Sequence, residues 1–85
     1  MKTFTYTITD KLGIHARPAG QLAKAAKALD STITITKGEK TADAAKLLAV
    51  MGLGAKCGDT LTITVSGGDE EASERAMIKF FEDNL

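Results

Sequence analysis

The sequence predicts an α/β (α+β) fold, an open-faced β-sandwich of order βαββαβα in which three helices cover one face of a four-stranded, mainly antiparallel sheet. Two observations predict these layers. Four short segments alternate apolar residues with threonine or another polar residue, so each strand has one face to bury and one to hydrate. Three further segments carry apolar residues at helical spacing. Because the threonine-rich face suits water, helices pack on the other side only.

Taken in order, Phe4, Tyr6 and Ile8 alternate with Thr3, Thr5, Thr7 and Thr9 as the first strand. Asp10 to Ile14, containing Gly13, reads as the loop into a helix that starts at His15, carries Ala19, Leu22, Ala26 and Leu29 on one stripe, and stops near Asp30-Ser31. Ile33 and Ile35 mark a strand over 32–37, and Gly38-Glu39 turns it into a shorter strand over 40–43, making a hairpin. Residues 44–53 are helix formers that end at Gly52 and Gly54. After the turn Lys56-Cys57-Gly58-Asp59, Leu61, Ile63 and Val65 alternate with Thr60, Thr62, Thr64 and Ser66 as the last strand. Asp69, Glu70 and Glu71 then place negative charge in the first turn of a helix striped by Ala72, Ala76, Met77, Phe80 and Phe81.

Eighty-five residues, 44% hydrophobic and 26% charged, suit one domain over 1–85 with a modest core, and a monomer is the expected state. Eleven basic and eleven acidic residues cancel, which removes any global electrostatic case for nucleic acid or an anionic membrane. An RNA-binding sheet would also need aromatic and basic residues on a strand face that is almost all threonine. Cys57, the single cysteine, cannot form an internal disulfide and cannot build a zinc site with one histidine, so no metal or cofactor is expected. No apolar signal core follows Met1-Lys2-Thr3 and no apolar run reaches membrane-spanning length; the expectation is a cytoplasmic protein without membrane insertion.

The chemistry concentrates at His15-Ala16-Arg17-Pro18. Proline tolerates only the first turn of a helix, so Pro18 marks a helix start and puts His15, the one histidine, at or beside the N-cap. The free N–H groups of Ala16 and Arg17, together with the helix dipole, favour a bound phosphate or carboxylate there. A neutral histidine can accept a phosphoryl group, and Arg17 can then neutralise the charge that arrives. A lone histidine at a helix start also fits a plain cap or surface residue; Gly13 just before it and Arg17 without an adjacent acid favour the functional reading.

Two surfaces flank this point. Arg17, Gln21, Lys24 and Lys27 share one face of the first helix and form a basic stripe, which reads either as a solvated face or as a dock for acidic partners. Leu47, Leu48, Val50, Met51 and Leu53 are too many for one narrow buried stripe on a short helix, so this helix is either deeply buried or presents an apolar patch rimmed by lysines. Gly52-Leu53-Gly54 lacks the spacing and lysine of a nucleotide-binding loop, and Cys57 has no assigned role.

With Gly13-Ile14-His15-Ala16-Arg17-Pro18-Ala19 in view, the chain resembles the histidine-containing phosphocarrier (HPr) family of the bacterial sugar phosphotransferase system. The likeness extends to Gly38, Lys40-Thr41, Val50-Met51-Gly52-Leu53-Gly54 and Gly58-Asp59, and so covers essentially the whole length. It implies a stoichiometric carrier rather than an enzyme. The resemblance implies that His15 is phosphorylated on ring Nδ1 by enzyme I, itself charged by phosphoenolpyruvate, and passes the group to enzyme II A-domains for sugar uptake, with Arg17 steadying the phosphate. It also implies that both partners dock on one face, formed by Arg17, Gly20, Gln21, Lys24 and Lys27 of the first helix and by Leu47, Leu48 and Met51 of the second. Lys46 joins that face where many relatives from Gram-positive bacteria carry a serine targeted by a regulatory kinase, so no such regulation is expected. Leu12 stands where relatives often carry a small polar residue in this loop, which removes one candidate hydrogen bond to His15 or its phosphate. The alternatives are a regulatory, nitrogen-branch phosphocarrier with the same chemistry, and a docking module that relays nothing.

Overall fold

A computed structural model describes residues 1–85 as β1 (Lys2–Thr7), α1 (Ala16–Lys27), β2 (Thr32–Lys37), β3 (Lys40–Asp43), α2 (Leu47–Gly52), β4 (Thr60–Ser66) and α3 (Glu70–Asn84). The sheet order is β1-β4-β2-β3, and every neighbouring pair is antiparallel. The alternation in sequence becomes two adjacent rows in the register. Phe4, Ile63, Ile35 and Ala42 align across the four strands on one face, while Thr5, Thr62, Thr36 and Thr41 align one residue along on the other. On the threonine face, side-chain hydroxyls meet across strands at Thr7 and Thr60, 2.9 Å apart.

The apolar row faces the helices. Ile33, Ile35, Leu61, Ile63 and Val65 are buried together with Leu22 and Ala26 of α1 and with Met77 and Phe81 of α3. The Phe81 ring makes edge contacts with Tyr6 at 5.4 Å and Phe4 at 6.1 Å between ring centroids, which pins α3 over β1. Asp69 caps α3 by accepting from the Ala72 N–H at 3.2 Å, with Glu70 and Glu71 in the first turn as the sequence predicts.

Three boundaries differ from the sequence expectation. β1 ends at Thr7 rather than Thr9 because its partner strand begins at Thr60; beyond that pair, Ile8 donates to Asp59 and Thr9 donates to the Leu85 carbonyl oxygen. α1 ends at Lys27 rather than Leu29, where Leu29 donates only three residues back, to Ala26. α2 begins at Leu47 rather than Ala44, since Asp43 turns the chain first: its carboxylate accepts from the Ala45 N–H at 2.9 Å and its carbonyl from the Lys46 N–H at 3.0 Å. Ala44 is buried and donates to Ile33, so it extends the sheet edge and cannot begin a helix.

The loop from β1 to α1 is tightly held. Asp10 accepts from the Leu12 N–H through its carboxylate and from the Gly13 N–H through its carbonyl, and Ile14 donates to the Ala55 carbonyl at 3.0 Å. Gly13 has φ of +67°, and a Cβ there would collide with the Ala55 carbonyl oxygen and sit 2.7 Å from Lys56 Cα, so only glycine fits.

Candidate functional site

His15 is the N-cap of α1, with extended backbone (φ −109°, ψ −175°) and no side-chain capping bond, so its imidazole is not consumed by the helix. Its carbonyl accepts the first helical bond from Ala19 at 3.0 Å. Pro18 is the third residue of the helix and is buried. The N–H groups of Ala16 and Arg17 find no acceptor within the protein, which leaves two donors at the positive end of a helix whose first turn holds no acidic residue.

The imidazole borders a polar cavity of about 270 Å³ lined by Asp10, His15, Arg17, Pro18, Gln21, Asp83 and Asn84. The sequence signals found its α1 wall and missed the others. Asp10 and the end of α3 lie far apart in the chain; the Leu85 carbonyl oxygen joins them by accepting from the N–H groups of Thr9, at 2.7 Å, and Asp10, at 2.8 Å. No local spacing in the sequence signals this closure. The expectation that Arg17 lacks a neighbouring acid is corrected in part. Asp10 and Asp83 line the same cavity, yet neither forms an ion pair with Arg17, whose guanidinium stays available to an anion.

α1 packs beside α2, which brings the two expected surfaces together. Arg17, Gln21, Lys24 and Lys27 are all exposed, Gly20 is half-buried with open space over its Cα, and Ala16 is exposed. On α2 the structure decides between the two readings of its apolar residues: Val50 and Leu53 enter the core, while Leu47, Leu48 and Met51 face outward, with Leu48 81% exposed. Lys46, the N-cap of α2, is exposed beside them. None of Arg17, Lys24, Lys27 and Lys46 is neutralised by an ion pair. The result is an apolar patch and uncompensated cations on neighbouring helices, one of which starts at His15. Leu12 is 72% exposed, and its backbone N–H is taken by Asp10.

The Asp59 carboxyl is held below the ordinary carboxylate range, first by the Lys56 backbone N–H it accepts and then by the Lys37 ammonium.

The family model described as "PTS HPr component phosphorylation site" matches residues 2–83. The chain is 44% identical over 77 residues to the phosphocarrier protein HPr of Lysinibacillus sphaericus, an overlap of 91% of this chain and 88% of that one. It is 45% identical over 67 residues to the phosphocarrier protein NPr of Shewanella violacea, covering 79% of this chain and 74% of the relative. Among solved structures, the histidine-containing phosphocarrier protein of Mycoplasma superimposes with a TM-score of 0.92 at 38% identity, over 96% of this chain and 93% of that one.

Proposed function

The chain belongs to the HPr family of phosphotransferase-system phosphocarriers, and from that membership we propose that His15 is the residue that carries the phosphoryl group. The observation that carries the proposal is the site itself: an imidazole left free at a helix N-cap, beside Arg17 and two unpartnered N–H groups, on a polar cavity with room for a phosphate.

In the proposed relay, enzyme I is charged by phosphoenolpyruvate and presents its phosphoryl group to the cavity. The His15 ring Nδ1 attacks phosphorus in line; the P–N bond to His15 forms as the bond to the enzyme I donor group breaks, and the pair of electrons leaves with that group. Arg17 and the Ala16 and Arg17 N–H groups meet the added negative charge. An enzyme II A-domain then takes the phosphoryl group by the reverse displacement and returns His15 to its free form. The protein is a stoichiometric carrier, cytoplasmic and monomeric, without a cofactor. Its partners bind in turn on the face made by Arg17, Gly20, Gln21, Lys24 and Lys27 with Lys46, Leu47, Leu48 and Met51. The exposed α2 residues supply an apolar centre, and the free cations select partners with an acidic rim.

The chain is also similar to a phosphocarrier of another name, NPr; in a second reading the same relay serves a regulatory branch. Both readings share one test. Intact mass is measured after incubation with enzyme I, magnesium and phosphoenolpyruvate, for the wild type and for His15→Ala. One acid-labile phosphate that is lost in the variant is the expected result; no gain with an active enzyme I would leave a docking module that relays nothing.

A further inference from the structure

Lys37, the last residue of β2, reaches across to the segment between α2 and β4. Its Nζ lies 3.3 Å from the Leu53 carbonyl oxygen, 3.1 Å from that of Gly54 and 3.3 Å from Asp59 Oδ2. An ammonium has three N–H donors, and these three acceptors match them. The two carbonyls lie just past the end of α2, where helical partners run out and a cation is favoured. Asp59 passes the constraint on: its Oδ2 accepts from the Lys56 N–H at 2.8 Å, and its own N–H donates to the Lys56 carbonyl at 2.9 Å. Residues 53–59 are thereby closed into one unit anchored on the sheet.

Both ends of the loop that delivers His15 are fastened to this unit. At the entry, Ile8 donates to the Asp59 carbonyl at 2.9 Å and accepts from the Gly58 N–H at 2.8 Å. At the exit, Ile14 donates to the Ala55 carbonyl at 3.0 Å, with Gly13 seated against Ala55 and Lys56. We infer that Lys37 is a positioning residue for transfer at His15: acting through Asp59 and the 53–59 segment, it fixes the loop that places the imidazole, without touching the phosphoryl group. The inference rests on the relay reading for its kinetic consequence, because in-line displacement loses about a hundredfold in rate for a misplacement near 1 Å.

The test compares wild type with Lys37→Met, which keeps the stem and removes the donors, and Lys37→Arg, which restores a cation. Two readouts are taken: the backbone amide resonances of Ile8 and Ile14 in the free protein, and the rate at which enzyme I phosphorylates the carrier, resolved into turnover at saturation and KM. In Lys37→Met both amides shift and turnover falls about tenfold with KM within threefold; Lys37→Arg recovers most of the loss. Wild-type amides and turnover in Lys37→Met overturn the inference, as does a change confined to KM, which would place the clamp's effect on the docking face alone. If Lys37→Met fails to fold, Asp59→Asn carries the same comparison with the carbonyl contacts of Lys37 retained. A wild-type protein that accepts no phosphate overturns the relay reading, a result separate from either outcome of the variants.

Discussion

Gly13 lies flat against the carbonyl of Ala55, forty-two residues away in sequence, and the backbone of Ile14 beside it donates to that same carbonyl at 3.0 Å. This contact seats the loop two residues before His15, and it combines two demands, a positive φ and the absence of a Cβ. Gly13→Ala violates both. The variant loses more than about 1 kcal/mol of stability in urea or thermal unfolding, because alanine is strained at positive φ and its methyl meets backbone that cannot rotate away. Gly20→Ala, at a helical site with open space, serves as the contrasting variant and is neutral or stabilising by up to about 1 kcal/mol.

The two faces of α2 predict opposite phenotypes for neighbouring leucines. Leu53 is 2% exposed and Leu48 81% exposed. Leu53→Ala costs about 2–5 kcal/mol through lost transfer energy and the cavity left behind. Leu48→Ala stays within about 0.5 kcal/mol of wild type in unfolding but raises the KM of enzyme I for the carrier. An unchanged KM would remove α2 from the docking face.

Arg17 is exposed and free of ion pairs, so its removal leaves the fold alone. Arg17→Ala unfolds within about 0.5 kcal/mol of wild type, while phosphorylation of His15 slows about a hundredfold, the scale of losing one charge-stabilising donor group. Arg17→Lys recovers only part of the rate, since a point charge replaces a planar fork. The measurement is the initial rate of phosphate incorporation from charged enzyme I.

Asp59 sets an acid dependence whose sign follows from its depressed folded-state pKa, caused first by the Lys56 N–H and then by Lys37. A carboxyl held below its unfolded value contributes stability that is present above the ordinary range near pH 4 and is lost as pH falls through the depressed value. Asp59→Asn therefore differs most from wild type at neutral pH, and the gap closes below about pH 4. Urea titrations of both proteins at several pH values check this; a gap that widens on acidification contradicts the assignment.

Ser31 and Ser73 are the buried polar side chains, and they satisfy each other: their hydroxyls are 2.8 Å apart, and Ser31 Oγ donates to the Gly67 carbonyl at 2.5 Å. The pair ties the entry to β2, just before Thr32, to α3 and to the turn that precedes it. Ser31→Ala strands the Gly67 carbonyl and the Ser73 hydroxyl and costs about 1–3 kcal/mol, read from the denaturant midpoint. The double variant with Ser73→Ala is less costly than the sum of the two singles, because each removes the other's partner.

By itself the sequence determined the strands β2, β3 and β4, whose bounds at 32–37, 40–43 and 60–66 match the period-two pattern, and the position of His15 at the start of α1, set by Pro18. These are local properties: side-chain alternation and a missing N–H act on residues within a turn or two of each other. The tertiary structure decided where β1 stops, since a strand lasts only as long as its partner. It decided that Asp43 delays α2, and which of Leu47, Leu48, Val50, Met51 and Leu53 meet water. It also brought Asp10 and Asp83 to the cavity of His15, and joined Lys37 to Asp59. Such pairs are separated by many residues along the chain, and no local spacing encodes them; they come into contact only when burial of the apolar strand faces closes the sheet against its helices.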